Sequence, residues 1–321
     1  MKKISVIFTG GTIGSLKKGD SIQPDGEAAF LLLEMYKKRS GANCDFDISQ
    51  PLSVLSENMT DENMALICRC IRGKLEGGAD GVIVTHGTDT LQYTACAASY
   101  VLGLDCAPVV FVSSNYTLTD GRANGLDNFA SAVNFIEQKG GRGVFISYRN
   151  RDEQATNIHR AARVLPYMPY DDRLFSLNGV YGDIYWGQFV KNYDYKERAD
   201  GQKPADIGEL AEGGKVLMLN CAPGLYYPDE IPEGVRAVIL DAYHSGTADT
   251  VSDNIRRFAR NAKQKGIPFY ISCSWDGVEY QSVSEFGNLG FKVMPAASPI
   301  AMYMKIKMGL DPYISLGGDI K

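Results

Sequence analysis

Hydrophobic runs of four or five residues, rich in Val, Ile and Phe, recur along the chain, and each stops at polar or glycine-rich residues. Residues 4–8, 81–84, 108–112 and 143–147 have this form, which predicts buried strands of a parallel sheet. Residues 27–38, 60–75, 91–102 and 124–138 read as helices with apolar faces, and Thr60 stands where a helix N-cap is expected, with Asn63 three residues on. Residues 51–56 read as a strand end or loop. Strands alternating with helices at this spacing predict a sheet covered on both faces. From 148 to 214 the pattern breaks into a stretch rich in Tyr, Asp, Arg, Pro and Gly, expected to hold an irregular hairpin region and a connector. It restarts with strands at 215–219, 237–240 and 268–272 and helices at 251–265 and 299–308. The architecture predicted is α/β: two parallel-sheet α/β domains of unequal size, 1–190 and 214–321, joined by a linker over 191–213.

Composition narrows the function classes. With 45% hydrophobic and 22% charged residues in 321, the chain reads as a soluble globular protein. Its 33 Lys+Arg against 38 Asp+Glu give a formal charge of -5 with no long basic cluster, which argues against a nucleic-acid partner. No apolar stretch is long enough for a membrane helix, and the opening Met1–Phe8 is too short for a secretory segment. A cytoplasmic protein is expected. Seven cysteines fit free thiols in a reducing compartment, since Cys68 and Cys70 are closer than zinc spacing allows. Three histidines (His86, His159, His244) make a His-rich metal centre hard to build, though carboxylates could hold magnesium. Neither a dinucleotide fingerprint nor a phosphate loop is present, so no cofactor and no metal are expected.

Ligands bind beyond the carboxyl ends of strands in open parallel sheets, and two such ends carry unusual residues. One is Thr9-Gly10-Gly11-Thr12; the other is Thr85-His86-Gly87-Thr88-Asp89-Thr90. Glycines let the backbone turn sharply and bring N–H groups close to a ligand. The threonine hydroxyls supply a nucleophile or hydrogen-bond donors, and Asp89 suits a substrate amine. Polar groups on buried strand ends cost free energy unless they are used.

These two signatures, Thr9-Gly10-Gly11-Thr12-Ile13-Gly14 and His86-Gly87-Thr88-Asp89-Thr90, resemble those of the bacterial-type L-asparaginases, in particular the cytoplasmic type I branch. Ser56-Glu57-Asn58-Met59-Thr60, Thr119-Asp120-Gly121 with Asn124, and Pro223-Gly224 match further family segments in order. The resemblance implies an asparaginase-like fold and a homodimer or homotetramer acting on a small amino-acid substrate. Thr12 would be the nucleophile that attacks the side-chain amide of asparagine, and Thr88 the second catalytic threonine, polarised by Asp89 and a lysine. Substrate contacts would come from Gly11, Ser56, Glu57, Gly87, Thr88 and Asp89. A threonine hydroxyl needs a neighbouring base or cation to react, and its oxyanion needs backbone N–H donors.

Some positions depart from that pattern. Pro166 stands at the place of the family's lysine, so charge would have to come from Arg160 or Arg163, or from Lys17 or Lys18 on the N-terminal loop. That loop lacks the family's tyrosine, with Ser21 nearest its place. Asn58 replaces an acid, and Ala296-Ala297-Ser298-Pro299-Ile300-Ala301 replaces the C-terminal family segment. His159, Arg160 and Arg163 read as a basic patch on a solvated or interdomain face. Three readings follow: an amidohydrolase of altered specificity, a weak or inactive homologue that binds an amino-acid-like ligand, and a structural or interaction protein.

Overall fold

The computed structural model describes residues 2–18, 21–24, 26–41, 45–198, 203–272 and 280–320, with the side chains of 16–29 outside the described set. Strand β1 (Ile4–Phe8) leads through the hairpin β2 (Ser15–Lys18) and β3 (Ser21–Pro24) to α1 (Gly26–Ser40) and β4 (Asp47–Ser49). Four further elements continue the alternation: α2 (Asp61–Glu76), β5 (Gly81–Thr85), α3 (Leu91–Leu102) and β6 (Val109–Val112). Then come α4 (Gly125–Glu137), β7 (Val144–Tyr148), β8 (Thr156–Arg160), β9 (Gly182–Tyr185), β10 (Gln188–Lys191) and α5 (Ile207–Ala211). The rest is β11 (Lys215–Asn220), β12 (Val235–Asp241), α6 (Asp253–Gln264), β13 (Phe269–Ser272), α7 (Gln281–Phe286), β14 (Phe291–Val293) and α8 (Pro299–Lys307).

Two large sheets result. One has eight strands in the order β10-β9-β8-β7-β6-β5-β1-β4, and the other has four, β11 to β14 in sequence. The second is parallel throughout. In the first, β4, β1, β5, β6 and β7 are parallel, whereas β8, β9 and β10 run antiparallel to their neighbours. The stretch that lost its alternation in the sequence therefore extends the first sheet. Its loop 149–155 is shorter than the dozen or so residues a parallel return needs. Trp186 (φ 50°) and Gly187 (φ 78°) turn β9 into β10 with the paired positive φ of a tight hairpin.

Alternate residues of the central strands serve two cores. Ile7, Val82, Val84, Val109 and Phe111 pack with α2 and α3; Val6, Phe8, Ile83, Val110 and Val112 pack with α1 and α4. The steps β5 to β6 and β6 to β7 move the same way across the sheet, yet α3 and α4 lie on opposite faces. The two crossovers thus have opposite hands. The crossovers through α1, α2 and α3 share the near-universal right hand, so the one through α4 is left-handed.

Local signals hold the helices. Thr60 caps α2 by accepting from Asn63 N (3.2 Å), with Asp61 and Glu62 in the first turn and Lys74 in the last. Helix α8 joins both sheets: Met302, Met304 and Met308 share one core with Ala95 and Ala98 of α3 and Ala237 and Ile239 of β12. The segment 203–213 also packs inward, with Ala205 N bonded to Tyr100 O (2.8 Å) and Ile207 and Leu210 buried.

The expected basic patch is buried rather than solvated: His159, Arg160 and Arg163 are at most 3% exposed. Arg160 pairs with Glu197 (2.6 Å), and Arg163 donates to Gly318 O (2.6 Å) and Ile320 O (3.2 Å). The same C-terminal turn closes over a buried ion pair. Lys305 Nζ lies 2.7 Å from Asp319 Oδ2, both side chains fully buried. Tyr100 OH donates to the same carboxylate at 2.8 Å, and Leu316 N to its other oxygen at 3.0 Å. Cys68 and Cys96 are buried free thiols, pushed up to about 12 by desolvation.

This packing generates two predictions. Asp319→Ala leaves Lys305 charged and unpaired, and should cost about 3–5 kcal/mol in urea unfolding, while Lys305→Met with Asp319→Leu recovers most of it. Equal losses in the single and double variants would deny the pair that role. The second concerns pH. Burial lowers His86 from 6.5 to about 4 and His159 from 6.5 to about 3. The unfolded chain therefore binds protons that the folded chain refuses, and stability falls as pH drops below 6.5, by up to about 1.4 kcal/mol per unit for each ring. The fall ends near pH 4 for His86 and near pH 3 for His159. The urea midpoint should be clearly lower at pH 5 than at pH 7.5; an unchanged midpoint would mean solvated rings.

Candidate active site

The chain leaves β1 outward to β4 and returns on the other side of β1 to form β5, so the strand order reverses between β1 and β5. Adjacent loops diverge at such a point and leave a crevice. Here Phe8 pairs with Thr85, and the two glycine-threonine loops rise side by side. Gly10 (φ 100°) and Gly11 (φ 72°) adopt backbone that side chains avoid. A Cβ on Gly11 would sit 2.3 Å from Gly87 Cα, and one on Gly10 2.4 Å from Val54 O. Backbone touches backbone at both positions, which only glycine permits.

Three segments thus meet. Gly11 N donates to Val54 O (3.0 Å), and Val54 N to Thr9 O (3.0 Å). Thr9 Oγ1 bonds Thr85 O (2.7 Å), Ser15 Oγ bonds Gly11 O (2.7 Å), and Thr90 Oγ1 bonds Ser56 O (2.8 Å). Thr12 opens a 3-10 turn over Thr12–Gly14 and is half-buried, as is Thr88. Buried Ser56 donates to Asp89 Oδ2 at 2.9 Å, and the Asp89 side chain is otherwise exposed. Glu57 is exposed in the turn Ser56–Asn58. His86 is fully buried and neutral, with Nδ1 2.9 Å from Gly87 O, so it fixes the loop rather than moving protons.

Beyond Thr88 and Asp89 opens a cavity lined by Gln92, Asn115, Tyr148, Arg151, Pro166 and Tyr167, among others. Pro166 thus faces the same cavity as Thr88 and brings it no charge. Arg160 and Arg163 point elsewhere, to Glu197 and to the C-terminal carbonyls, so neither replaces a lysine there. Arg151 is the cation among the cavity's residues, 3.4 Å from Asp172. The side chains of Lys17, Lys18 and Ser21 lie outside the described residues. Burial pushes the Tyr148 hydroxyl up to about 12 and raises that of Tyr167 well above its ordinary value, so both keep their protons. No group of three or more His, Cys, Asp or Glu side chains able to hold a metal occurs among the described residues.

Sequence reasoning missed Gln92, Arg151, Tyr148 and Tyr167. Only Gln92 carried a local signal, three residues after Asp89 on the helix it enters. Its Nε2 donates to Asp89 O at 3.1 Å. Asn115 follows β6, and only the fold shows its use: Asn115 and Asn124 exchange backbone-to-side-chain bonds of 3.0 and 3.1 Å, and Asn115 Nδ2 holds Asp172 at 2.9 Å.

The family model described as Asparaginase, N-terminal matches residues 3–168. Among curated relatives, a glutamyl-tRNA(Gln) amidotransferase subunit of Methanosarcina barkeri is 31% identical over 78% of this chain and 60% of its own length. The Methanococcus maripaludis protein of the same name is 25% identical over 79% of this chain and 63% of its own. The chain therefore spans about three-fifths of the length of these relatives. The thermostable L-asparaginase from Thermococcus kodakarensis shares the fold at a TM-score of 0.73 and 21% identity, covering 95% of this chain and 92% of that one. A probable cytoplasmic L-asparaginase from Campylobacter jejuni does so at 0.72 and 22%, covering 96% and 93%. A family match across more than half of the chain, centred on the loops that meet between β1 and β5, makes this protein a member of the asparaginase family.

Proposed function

We propose that the protein hydrolyses the side-chain amide of L-asparagine, or of a related small amino-acid amide, to the acid and ammonia through an acyl-enzyme on Thr12. The observation that carries this reading is the contact of Gly11 with Gly87, which sets the loops of Thr12 and Thr88 against one another. Asp89, oriented by Ser56 at 2.9 Å, offers a carboxylate to the substrate's α-ammonium. In this reading Gly11, Glu57 and Gly87, on the segments that the contact brings together, supply the remaining substrate contacts. Thr12 Oγ1 attacks the amide carbon, ammonia departs with the hydroxyl's proton, and water then cleaves the ester and restores Thr12. Because relatives carry the name of a glutamyl-tRNA(Gln) amidotransferase, glutamine belongs in the same assay.

The cavity's proline favours the second reading, a weak or inactive homologue that binds its ligand. A missing proton-transfer group costs about 10²–10⁴-fold in rate. Arg151 can stabilise charge, but a guanidinium does not relay a proton. No described helix is long and apolar enough to cross a membrane, and a cytoplasmic location and a homodimer or homotetramer remain part of the proposal; light scattering at micromolar concentration should give at least a dimer mass, and a monomer removes the assembly.

Ammonia release from asparagine and glutamine tests the chemistry. Turnover should be slow, should vanish in Thr12→Ala, and should fall by at least about 10²-fold in Thr88→Ala. Turnover that survives Thr12→Ala would remove the acyl-enzyme. Gly11→Ala should abolish activity and lower stability by about 1–3 kcal/mol, through its left-handed φ and its collision with Gly87.

A further inference from the structure

The cavity beyond Thr88 encloses about 610 Å³, within the ~300–1,000 Å³ typical of pockets that surround drug-sized ligands. A free asparagine gripped at Asp89 leaves most of it empty. Its lining is also of another kind from the small polar grip. Tyr93, Tyr116, Tyr167 and Met168 give it an aromatic and apolar wall, and the Asp171 and Asp172 carboxylates share the lining with Arg151. Gln92 is 4% exposed and its Oε1 has no hydrogen-bond partner among the described residues, while its Nε2 is held on Asp89 O. A buried acceptor without a donor is costly, and Gln92 is one of the residues that line the cavity. At the rim, Arg151 is 62% exposed and, among the described residues, is held by contacts of 3.4 Å to Asp172 and to the Tyr116 hydroxyl. Most of its five donors are left for an anion.

Resting on the amidohydrolase reading above, we propose that the natural substrate class is a dipeptide with asparagine first and an apolar residue second. Each group has a place. The free α-ammonium meets Asp89, and the peptide N–H donates to Gln92 Oε1. The second side chain lies on the tyrosine wall, and the terminal carboxylate meets Arg151. The reaction is the same hydrolysis: the Thr12 Oγ1–carbon bond forms as the carbon–nitrogen bond breaks, and the amide nitrogen leaves as ammonia with the hydroxyl proton. Water then cleaves the ester, returns a proton to Thr12 and leaves an aspartyl dipeptide. The peptide bond itself stays intact.

The experiment measures ammonia release by the full chain from L-asparagine, L-glutamine, asparaginyl-glycine, asparaginyl-phenylalanine and the carboxamide of the last. Asparaginyl-phenylalanine should exceed asparagine in kcat/KM by about tenfold or more, as one satisfied buried acceptor plus an apolar contact would give. Its carboxamide should lose much of that gain. Gln92→Met should lower the ratio of dipeptide to asparagine, and Arg151→Ala, an exposed position, should bring dipeptide and carboxamide level even if the Gln92 variant fails to fold. Asparagine equal to or better than the dipeptides would overturn the dipeptide compartment and leave amide hydrolysis standing. If nothing releases ammonia, thermal shift decides, because a ligand of the native state alone raises its apparent stability. A rise with asparaginyl-phenylalanine above that with asparagine, reduced in Arg151→Ala, would keep the compartment and remove the hydrolysis. No shift with any ligand would overturn both.

Discussion

The site depends on one contact, the van der Waals meeting of Gly11 with Gly87. Strands β1 and β5 are neighbours in the sheet, and the loops that leave them separate to opposite sides. Without a close approach just above the sheet, two such loops would diverge at once and their side chains would face different regions of solvent. A Cβ at Gly11 would lie 2.3 Å from the facing backbone, a separation no relaxation of a rotamer can relieve. The neighbouring Gly10 does the same against Val54 and brings in the third segment, the one that carries Ser56. Thr9, Ser15 and Thr90 then tie the loops by hydroxyl-to-carbonyl bonds. Burial makes those bonds matter, because each carbonyl left unpaired there would cost about 1–3 kcal/mol.

The reversed hand of the α4 crossover supplies the far wall. A right-handed return from β6 would carry the chain over the face already covered by α3. Passing to the opposite face instead takes residues 113–124 across the carboxyl end of the sheet, next to Thr88. Asn115 and Tyr116 reach the cavity that way, and the reciprocal Asn115–Asn124 bonds hold the excursion closed. The wall opposite comes from the loop after β8, where Pro166 and Tyr167 sit. Topology, more than any single motif, gives the cavity its residues.

Four of the five parallel strands of the first sheet were legible because buried strands alternate there with amphipathic helices, whereas the edge strand β4, largely exposed, was not. Thr60 was legible as a cap, and Thr12, Thr88 and Asp89 as candidates, because each lies at a chain reversal where local chemistry limits residue type. The antiparallel half was not, since β8 to β10 have short loops and mixed composition, and their pairing is decided by neighbours distant in sequence. His159 and Arg163 misled as a basic patch. A cation read along the chain looks solvated, and only the fold brings the carbonyls of Gly318 and Ile320 to Arg163. Gln92 and Arg151 escaped because a cavity's lining has no period.

The same geometry accounts for the site's poverty in cations. Among the described residues, Arg160 is buried against Glu197, and two further buried positive groups, Arg163 and Lys305, face the C-terminal turn. Arg163 satisfies two of its carbonyls, while Lys305 pairs with Asp319 and donates to Ile314 O at 2.6 Å. Moving either toward Thr88 would leave a buried carboxylate or carbonyls without partners, at several kcal/mol. Neither is therefore a reserve for the missing lysine. What remains beside Thr88 is a proline, tyrosines, an exposed arginine and the Asp171 and Asp172 carboxylates, a lining without a lysine's proton, in which the arginine and the tyrosine wall suit an extension of the substrate. Pro166 stands in the lining where the family pattern has a lysine, and it meets the tyrosine wall with an apolar ring in place of a charge.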